Sequence, residues 1–108
     1  MKTGTIVLIP FPFAELNNVK VRPALVVATT KDKYRDLILC AISSVLSDKD
    51  GEFEMILKPN SSNHLRVASV LKNDRIVTLK KEDAITELGI LSATEISLFK
   101  EKFRQLVD

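Results

Sequence analysis

Histidine, cysteine and tryptophan are almost missing from this chain of 108 residues, which has one histidine, one cysteine and no tryptophan. A single cysteine, Cys40, cannot form an internal disulfide, and one thiol with one imidazole gives metal ligation little to draw on. Acid–base catalysis by a pair of histidines is excluded by count. A serine–histidine–aspartate triad would have to recruit His64 from the polar segment 58–66, where it has no adjacent acidic residue; a solvated side chain is expected instead. Glycine is also scarce, with three in all. Neither a G-x-G-x-x-G pattern nor a Walker-type phosphate loop occurs. No apolar run approaches the roughly 20 residues that cross a bilayer as a helix. Pro10 and Pro12 interrupt the only stretch resembling a secretory leader. These absences predict a cytoplasmic protein that uses no cofactor and no metal.

What is present is an ordinary globular composition, 45% hydrophobic and 28% charged. The length suits one domain over residues 1–108 and is too short for two that each bury a sizeable core. A net charge of +2 and a sequence pI near 8.8 permit an anionic partner without demanding one. Lys20, Arg22, Lys31, Lys33 and Arg35 fall close together, whereas Asp48, Asp50, Glu52 and Glu54 form an acidic stretch. Such runs fit a polarised surface or simply a solvated face. Cys40 lies inside the apolar run Leu37 to Ile42 and reads as a small buried hydrophobe.

The hydrophobic pattern predicts several short strands. Thr5 to Ile9 is β-branched and apolar, and the Pro-Phe-Pro at positions 10 to 12 ends it. Glu15 to Lys20 reads as a loop. Pro23 to Ala28 and Leu37 to Ile42 are apolar on both faces, as in strands buried on both sides or lining a small barrel. Glu52 to Leu57 alternates imperfectly and reads as another strand, and Lys58 to Asn63 as a loop. Val67 to Leu71 and Arg75 to Leu79 suggest two strand segments split by the polar Lys72-Asn73-Asp74. Gly89 suggests a tight turn. Ser92-Ala93-Thr94-Glu95 is a capping-box pattern, and Ile96, Phe99, Phe103 and Leu106 follow at helical spacing, so a helix is expected from about 93 to 106. Short strands followed by one capped helix give a mainly β fold, a small barrel or sheet with a helix packed on it.

Polar groups at strand ends are the remaining chemical signal. Arg22 leads into Pro23-Ala24-Leu25-Val26-Val27, and Ser43 and Ser44 close the Leu37 to Ile42 strand. A strand end on a rigid scaffold can aim a side chain into a cleft. On composition alone the plainer reading prevails: Arg22 is a surface cation with a covered stem, and the serines begin a turn.

Three segments shift that balance. Gly4 to Phe13, Lys20 to Val27 and Ile38 to Ser44 together resemble the N-terminal signature of MazF/PemK toxins. The resemblance continues through Ala68 to Leu79, Ile85 to Gly89 and the last helix, in the right order over nearly the whole chain. It implies an SH3-like barrel of the CcdB/PemK type carrying a C-terminal helix. It further implies a homodimer, sequence-selective cleavage of single-stranded RNA without a metal, and a cognate antitoxin whose extended tail fills the RNA groove. Through it Arg22 matches the family's catalytic arginine, and Ser43 the strand-end threonine or serine that acts on the scissile phosphate. Lys72 and Asp74 fall near an arginine and an aspartate with catalytic roles in the PemK branch. Lys20, Ser44 and Arg75 are candidates for RNA contacts, with an ordinary surface charge the alternative for the two cations. The first loop, Glu15-Leu16-Asn17-Asn18-Val19, has no histidine where some members use one, so that role does not transfer. The common Gly-Asp near the start is Gly4-Thr5 here.

RNA carries its own nucleophile, the ribose 2′-hydroxyl, so these residue types suffice for the chemistry in outline. A guanidinium forks onto phosphate oxygens, and a serine hydroxyl adds a donor. Arginine is a poor base, which leaves the proton acceptor unassigned. Two rivals remain open at this point. CcdB-like toxins share the fold but bind DNA gyrase without cutting RNA, and a catalytically silent member would keep the fold and the antitoxin.

Overall fold

The computed structural model describes residues 1–10, 20–45 and 51–108. The loop expected at 15–20 lies outside the described residues except for Lys20, and so do Asp48 and Asp50 of the acidic stretch. The described chain forms β1 (Thr5–Pro10), β2 (Val21–Thr29), β3 (Leu37–Ser43), β4 (Glu54–Leu57), β5 (Ser69–Leu79), a 3-10 turn (Lys81–Asp83), β6 (Thr86–Ile90) and α1 (Ala93–Gln105). The six strands make one antiparallel sheet in the order β4-β5-β3-β2-β1-β6.

The apolar runs of β1, β2 and β3 are explained by two cores, one on each face of the sheet. Alternation sends Ile6, Leu25, Cys40 and Ile42 to one face. There they meet Met55 and Leu57 of β4, Leu71 of β5, Leu91 and the helix residue Phe99. The intervening residues Val7, Ile9, Ala24, Val26, Leu37 and Leu39 fill a second cluster on the other face, backed by Val77, Leu79 and Ala84. Three register shifts help the sheet to curl, between Ile6 and Val7, between Val26 and Ala28, and between Cys40 and Ala41. The recorded β2–β3 pairing starts at Ala24, one residue after Pro23, which has no N–H to give a ladder.

The helix starts as the capping pattern requires. Ser92 Oγ accepts the Glu95 N–H at 3.2 Å, and Glu95 Oε1 accepts the Ser92 N–H at 2.9 Å. Phe99 is the residue of α1 that becomes fully buried, and its ring lies 5.5 Å from that of Phe103.

Three expectations are corrected. The two strand segments around Lys72-Asn73-Asp74 are one strand, β5, because its ladder with β3 continues on both sides of a bulge: Ala41 faces Lys72 and Cys40 faces Ile76. Residues 73–75 are the surplus on the β5 side, and they interrupt the apolar pattern without ending the strand. Gly89 is a strand residue rather than a turn. An added Cβ there would press on the backbone carbonyls of Ser62 and Asn63, the latter at 2.6 Å, so the glycine allows the 58–66 loop to pack directly on β6. That loop is held by buried Asn63, whose Oδ1 accepts the N–H groups of Asn60 and Leu65 and whose Nδ2 donates to the Lys58 carbonyl. His64, at φ 54°, is exposed but bound: its Nδ1 lies 2.6 Å from the Leu88 carbonyl. The histidine therefore ties this loop to β6 rather than standing free in solvent.

Candidate nucleic-acid interface

The sheet register places the main site candidates on one face. Cross-strand pairing lines up Val7, Ala24, Ala41, Lys72 and Glu54 in a row across five strands. Two positions further along, Ile9 faces Arg22, and Ser43 faces Val70, which in turn faces Ile56. The β2–β3 pairing ends at Ala24 and Ala41, two residues short of Arg22 and Ser43. Residues two apart share a face, so Arg22, Ser43 and Lys72 all stand on the face that carries the second core cluster. Lys72 is the diagonal neighbour of Ser43 across the β3–β5 ladder, at a Cβ separation of about 7–8 Å.

All three are half-buried. For the two cations, Arg22 near the start of β2 and Lys72 within β5, half-burial fits a covered stem with the charged head toward solvent. Ser43 Oγ accepts the Val45 N–H at 3.1 Å, which is the turn-starting role expected on composition. A hydroxyl that accepts one bond still has its own hydrogen to donate. Ser43 therefore serves the turn and remains a donor toward the open face.

The other candidates sit around this group rather than in it. Asp74 and Arg75 are exposed and belong to the β5 bulge, immediately after Lys72. Lys20 is exposed just before β2, and Ser44 is exposed just after β3, one residue out of phase with Ser43. Glu54, part of the acidic stretch, faces Lys72 across the β4–β5 ladder. Its alternation with buried Met55 and Leu57 was the available signal. The Glu54 carboxylate folds over Gly51, where an added Cβ would meet Oε1 at 2.6 Å. Asn73, at the root of the bulge, is fully buried, and neither atom of its side-chain amide has a hydrogen-bond partner among the described residues.

Cys40 has the burial expected for it. Its thiol donates to the Asn73 carbonyl at 3.5 Å, and burial, with help from the negative charge of Asp74, pushes its pKa up to about 12. A thiol so placed stays protonated at neutral pH and is no nucleophile. Among the described residues no group of three or more His, Cys, Asp or Glu side chains is arranged to hold a metal ion, and no helix is long and apolar enough to cross a membrane.

This arrangement of strands can be set against known proteins. The family model for PemK-like, MazF-like toxins of type II toxin–antitoxin systems matches residues 2–107. The chain belongs to that family. Solved toxin structures share its fold. A mycobacterial endoribonuclease, solved in complex with its cognate antitoxin, superposes with a TM-score of 0.75 at 13% identity, covering 99% of this chain and 94% of that one. The Mycobacterium tuberculosis toxin MazF-mt6 gives 0.71 at 16% identity, with 96% of each chain covered. MazF from Deinococcus radiodurans gives 0.71 at 25% identity, covering 99% of this chain and 96% of the other. Among curated proteins none matches the sequence. The MazF fold here is a curled half-barrel of six antiparallel strands closed on one face by the C-terminal helix. In this frame Arg22 and Ser43 lie on the face away from the helix, since Phe99 packs with Leu25 and Cys40, which point the other way.

Proposed function

We propose that this MazF/PemK-family toxin is an endoribonuclease that cuts single-stranded RNA at selected sequences, and that a cognate antitoxin neutralises it by filling the same face. The observation that supports the reading is that Arg22, Ser43 and Lys72, two cations and a hydroxyl, are half-buried on one sheet face, with Lys72 diagonal to Ser43. A phosphodiester is the substrate this set fits, because a guanidinium and an ammonium supply charge while the hydroxyl fixes orientation.

In the proposed reaction the ribose 2′-hydroxyl attacks phosphorus and the bond to the 5′-oxygen of the next nucleotide breaks. The products are a 2′,3′-cyclic phosphate and a 5′-hydroxyl. Arg22 stabilises the charge that builds on the phosphorane oxygens. Ser43 donates to a non-bridging oxygen. Lys72 holds the phosphate on the β5 side, with Lys20, Ser44 and Arg75 lying along the path of the flanking RNA. Asp74 is the carboxylate that the bulge brings beside Lys72, and as an ionised acceptor it is the group assigned to take the 2′-hydroxyl proton. The 5′-oxygen leaves with a proton taken from water. A homodimer of the chain would present two such faces.

Purified protein incubated with a long single-stranded RNA in EDTA, beside Arg22→Ala, tests the reading. Cleavage by the wild type is expected, with Arg22→Ala slower by about 10²–10³-fold, the usual effect of removing one donor from a developing oxyanion. Equal cleavage by both would remove Arg22 from the centre. Failure of the wild type to cut any of several RNAs would leave a toxin of this family that acts without ribonuclease chemistry.

A further inference from the structure

The five cations that run from Lys20 to Arg35 in sequence are divided in space. β2 separates them, with Lys20 and Arg22 at its start and Lys31, Lys33 and Arg35 beyond its end. Nine residues of strand at about 3.3 Å each put the two groups on the order of 30 Å apart. The second group is therefore outside the cleavage face and has no part in the chemistry proposed above.

That group sits on the β2–β3 turn, residues 30–36, and the turn is tightly tied. Thr30 N–H donates to the Asp36 carbonyl, and Asp36 N–H donates to Thr30 Oγ1, both at 2.8 Å. Asp32 Oδ1 accepts the Thr30 hydroxyl at 2.8 Å and the N–H groups of Tyr34 and Arg35 at 3.1 and 3.2 Å. These bonds hold Arg35 at φ 51°, a conformation uncommon for a residue with a Cβ. The acidic residue of the turn is thus engaged by the turn's own donors. The Lys31, Lys33 and Arg35 side chains are exposed, and β5 ends next to the start of β3, which brings exposed Lys80 and Lys81 to the same end of the sheet.

Tyr34 decides what such a surface fits. Its ring is 64% exposed, with the Lys33 ammonium 5.1 Å from its centroid. An acidic peptide would use the cations and leave the ring idle. A single-stranded nucleic acid uses both, phosphates against the cations and an unpaired base against the ring.

We propose that the β2–β3 turn is a second RNA contact, remote from Arg22 and Ser43, in which Tyr34 stacks on a base while Lys31, Lys33 and Arg35 hold the neighbouring phosphates. The inference rests on the ribonuclease reading. Its consequence is a preference for long substrates: RNA that reaches the turn binds more tightly, while an oligomer trimmed to the cleaved sequence gains nothing from it.

The test uses the full chain with two unstructured RNAs, one long and one trimmed. Its variants are Tyr34→Ala, Tyr34→Phe, and a triple Lys31→Gln, Lys33→Gln, Arg35→Gln. Tyr34→Ala should weaken binding of the long RNA about tenfold, as loss of one stacking platform does, and Tyr34→Phe should restore it. The triple variant should lower the slope of log K against log salt by about 2, at roughly 0.7 per phosphate contact. Cleavage of the trimmed oligomer should not change in any of them. Unaltered binding of the long RNA by Tyr34→Ala, in a protein that cuts both RNAs, overturns this inference alone. Equal losses on both RNAs overturn it as well, since the effect would then be global. Polyglutamate binding that falls as much as RNA binding would mark an acidic protein segment as the occupant. If the wild type neither binds nor cuts either RNA, the proposed function and this inference fall together.

Discussion

Replacing Phe99 by alanine tests how the helix is held. Phe99 is 1% exposed and packs in a cluster with Ile6, Leu25, Cys40, Leu57, Leu71 and Leu91, whereas Ile96 and Phe103 only flank that cluster. The alanine variant loses the transfer free energy of the ring and leaves a cavity among strands that cannot close on it, a loss of about 3–5 kcal/mol. For a chain of this size the whole stability is on the order of 5–15 kcal/mol, so the fraction removed is large. With a urea slope near 1–3 kcal/mol/M, the unfolding midpoint should fall by roughly 2 M. Phe103→Ala removes a half-buried ring and should cost about half as much. Urea titrations followed by far-ultraviolet circular dichroism measure all of these. A loss below about 1 kcal/mol for Phe99→Ala would refute the reasoning, because a helix docked through that ring cannot lose it so cheaply. Any variant that stays folded should keep its cleavage rate per molecule, because Arg22 and Ser43 lie on the opposite face of the sheet.

Ser92→Ala removes the acceptor that caps the Glu95 N–H, leaving only the backbone N–H that donates to Glu95, and should lower stability by about 1 kcal/mol, seen as a fall of about 4 °C in Tm with the native fold retained. Gly89→Ala sets a Cβ against the Ser62 and Asn63 carbonyls, and the cost of moving that backbone should be about 1–3 kcal/mol by urea titration. Loss of the His64–Leu88 hydrogen bond should accompany it, visible in the His64 ring resonances. Cys40 makes stability fall at alkaline pH. Its folded pKa, about 12, exceeds the ordinary 9.0, so the unfolded chain releases the proton first and each pH unit between these values costs up to about 1.4 kcal/mol. Cys40→Ala should flatten that part of the pH profile, and the difference between the two profiles isolates the thiol from other titrating groups.

Much of the fold was legible because it depends on local periodicity. The short apolar, β-branched runs of β1 to β3, the imperfect alternation of β4 and the serine–glutamate spacing before α1 each specify an element from a few adjacent residues. Arg22 and Ser43 enter as site candidates through the family resemblance, since composition alone makes them a surface cation and a turn starter. What the local pattern could not give was pairing between distant strands. The polar Lys72-Asn73-Asp74 reads as a break in sequence, but β3 pairs on both sides of it and makes it a bulge. Gly89 reads as a turn because only the loop at 62–63, packed against it, shows why a strand should lack a side chain there. His64 reads as solvated because its partner, the Leu88 carbonyl, lies 24 residues away.

The sequence by itself determined β1 to β4, the helix α1, and which residues are apolar enough to be buried, since these follow from each residue and its near neighbours; the continuity of β5 and the strand β6 came only with the pairing. Only the tertiary structure decided which polar residues meet. Lys20, Arg22, Lys31, Lys33 and Arg35 are one cluster in sequence, and the length of β2 separates them into two. Ser43 and Lys72 are 29 positions apart in sequence, and antiparallel pairing of β3 with β5 makes them diagonal neighbours on one face. The physical reason is that an extended chain carries its neighbours apart at about 3.3 Å per residue, while ladder hydrogen bonds bring distant segments to within about 5 Å.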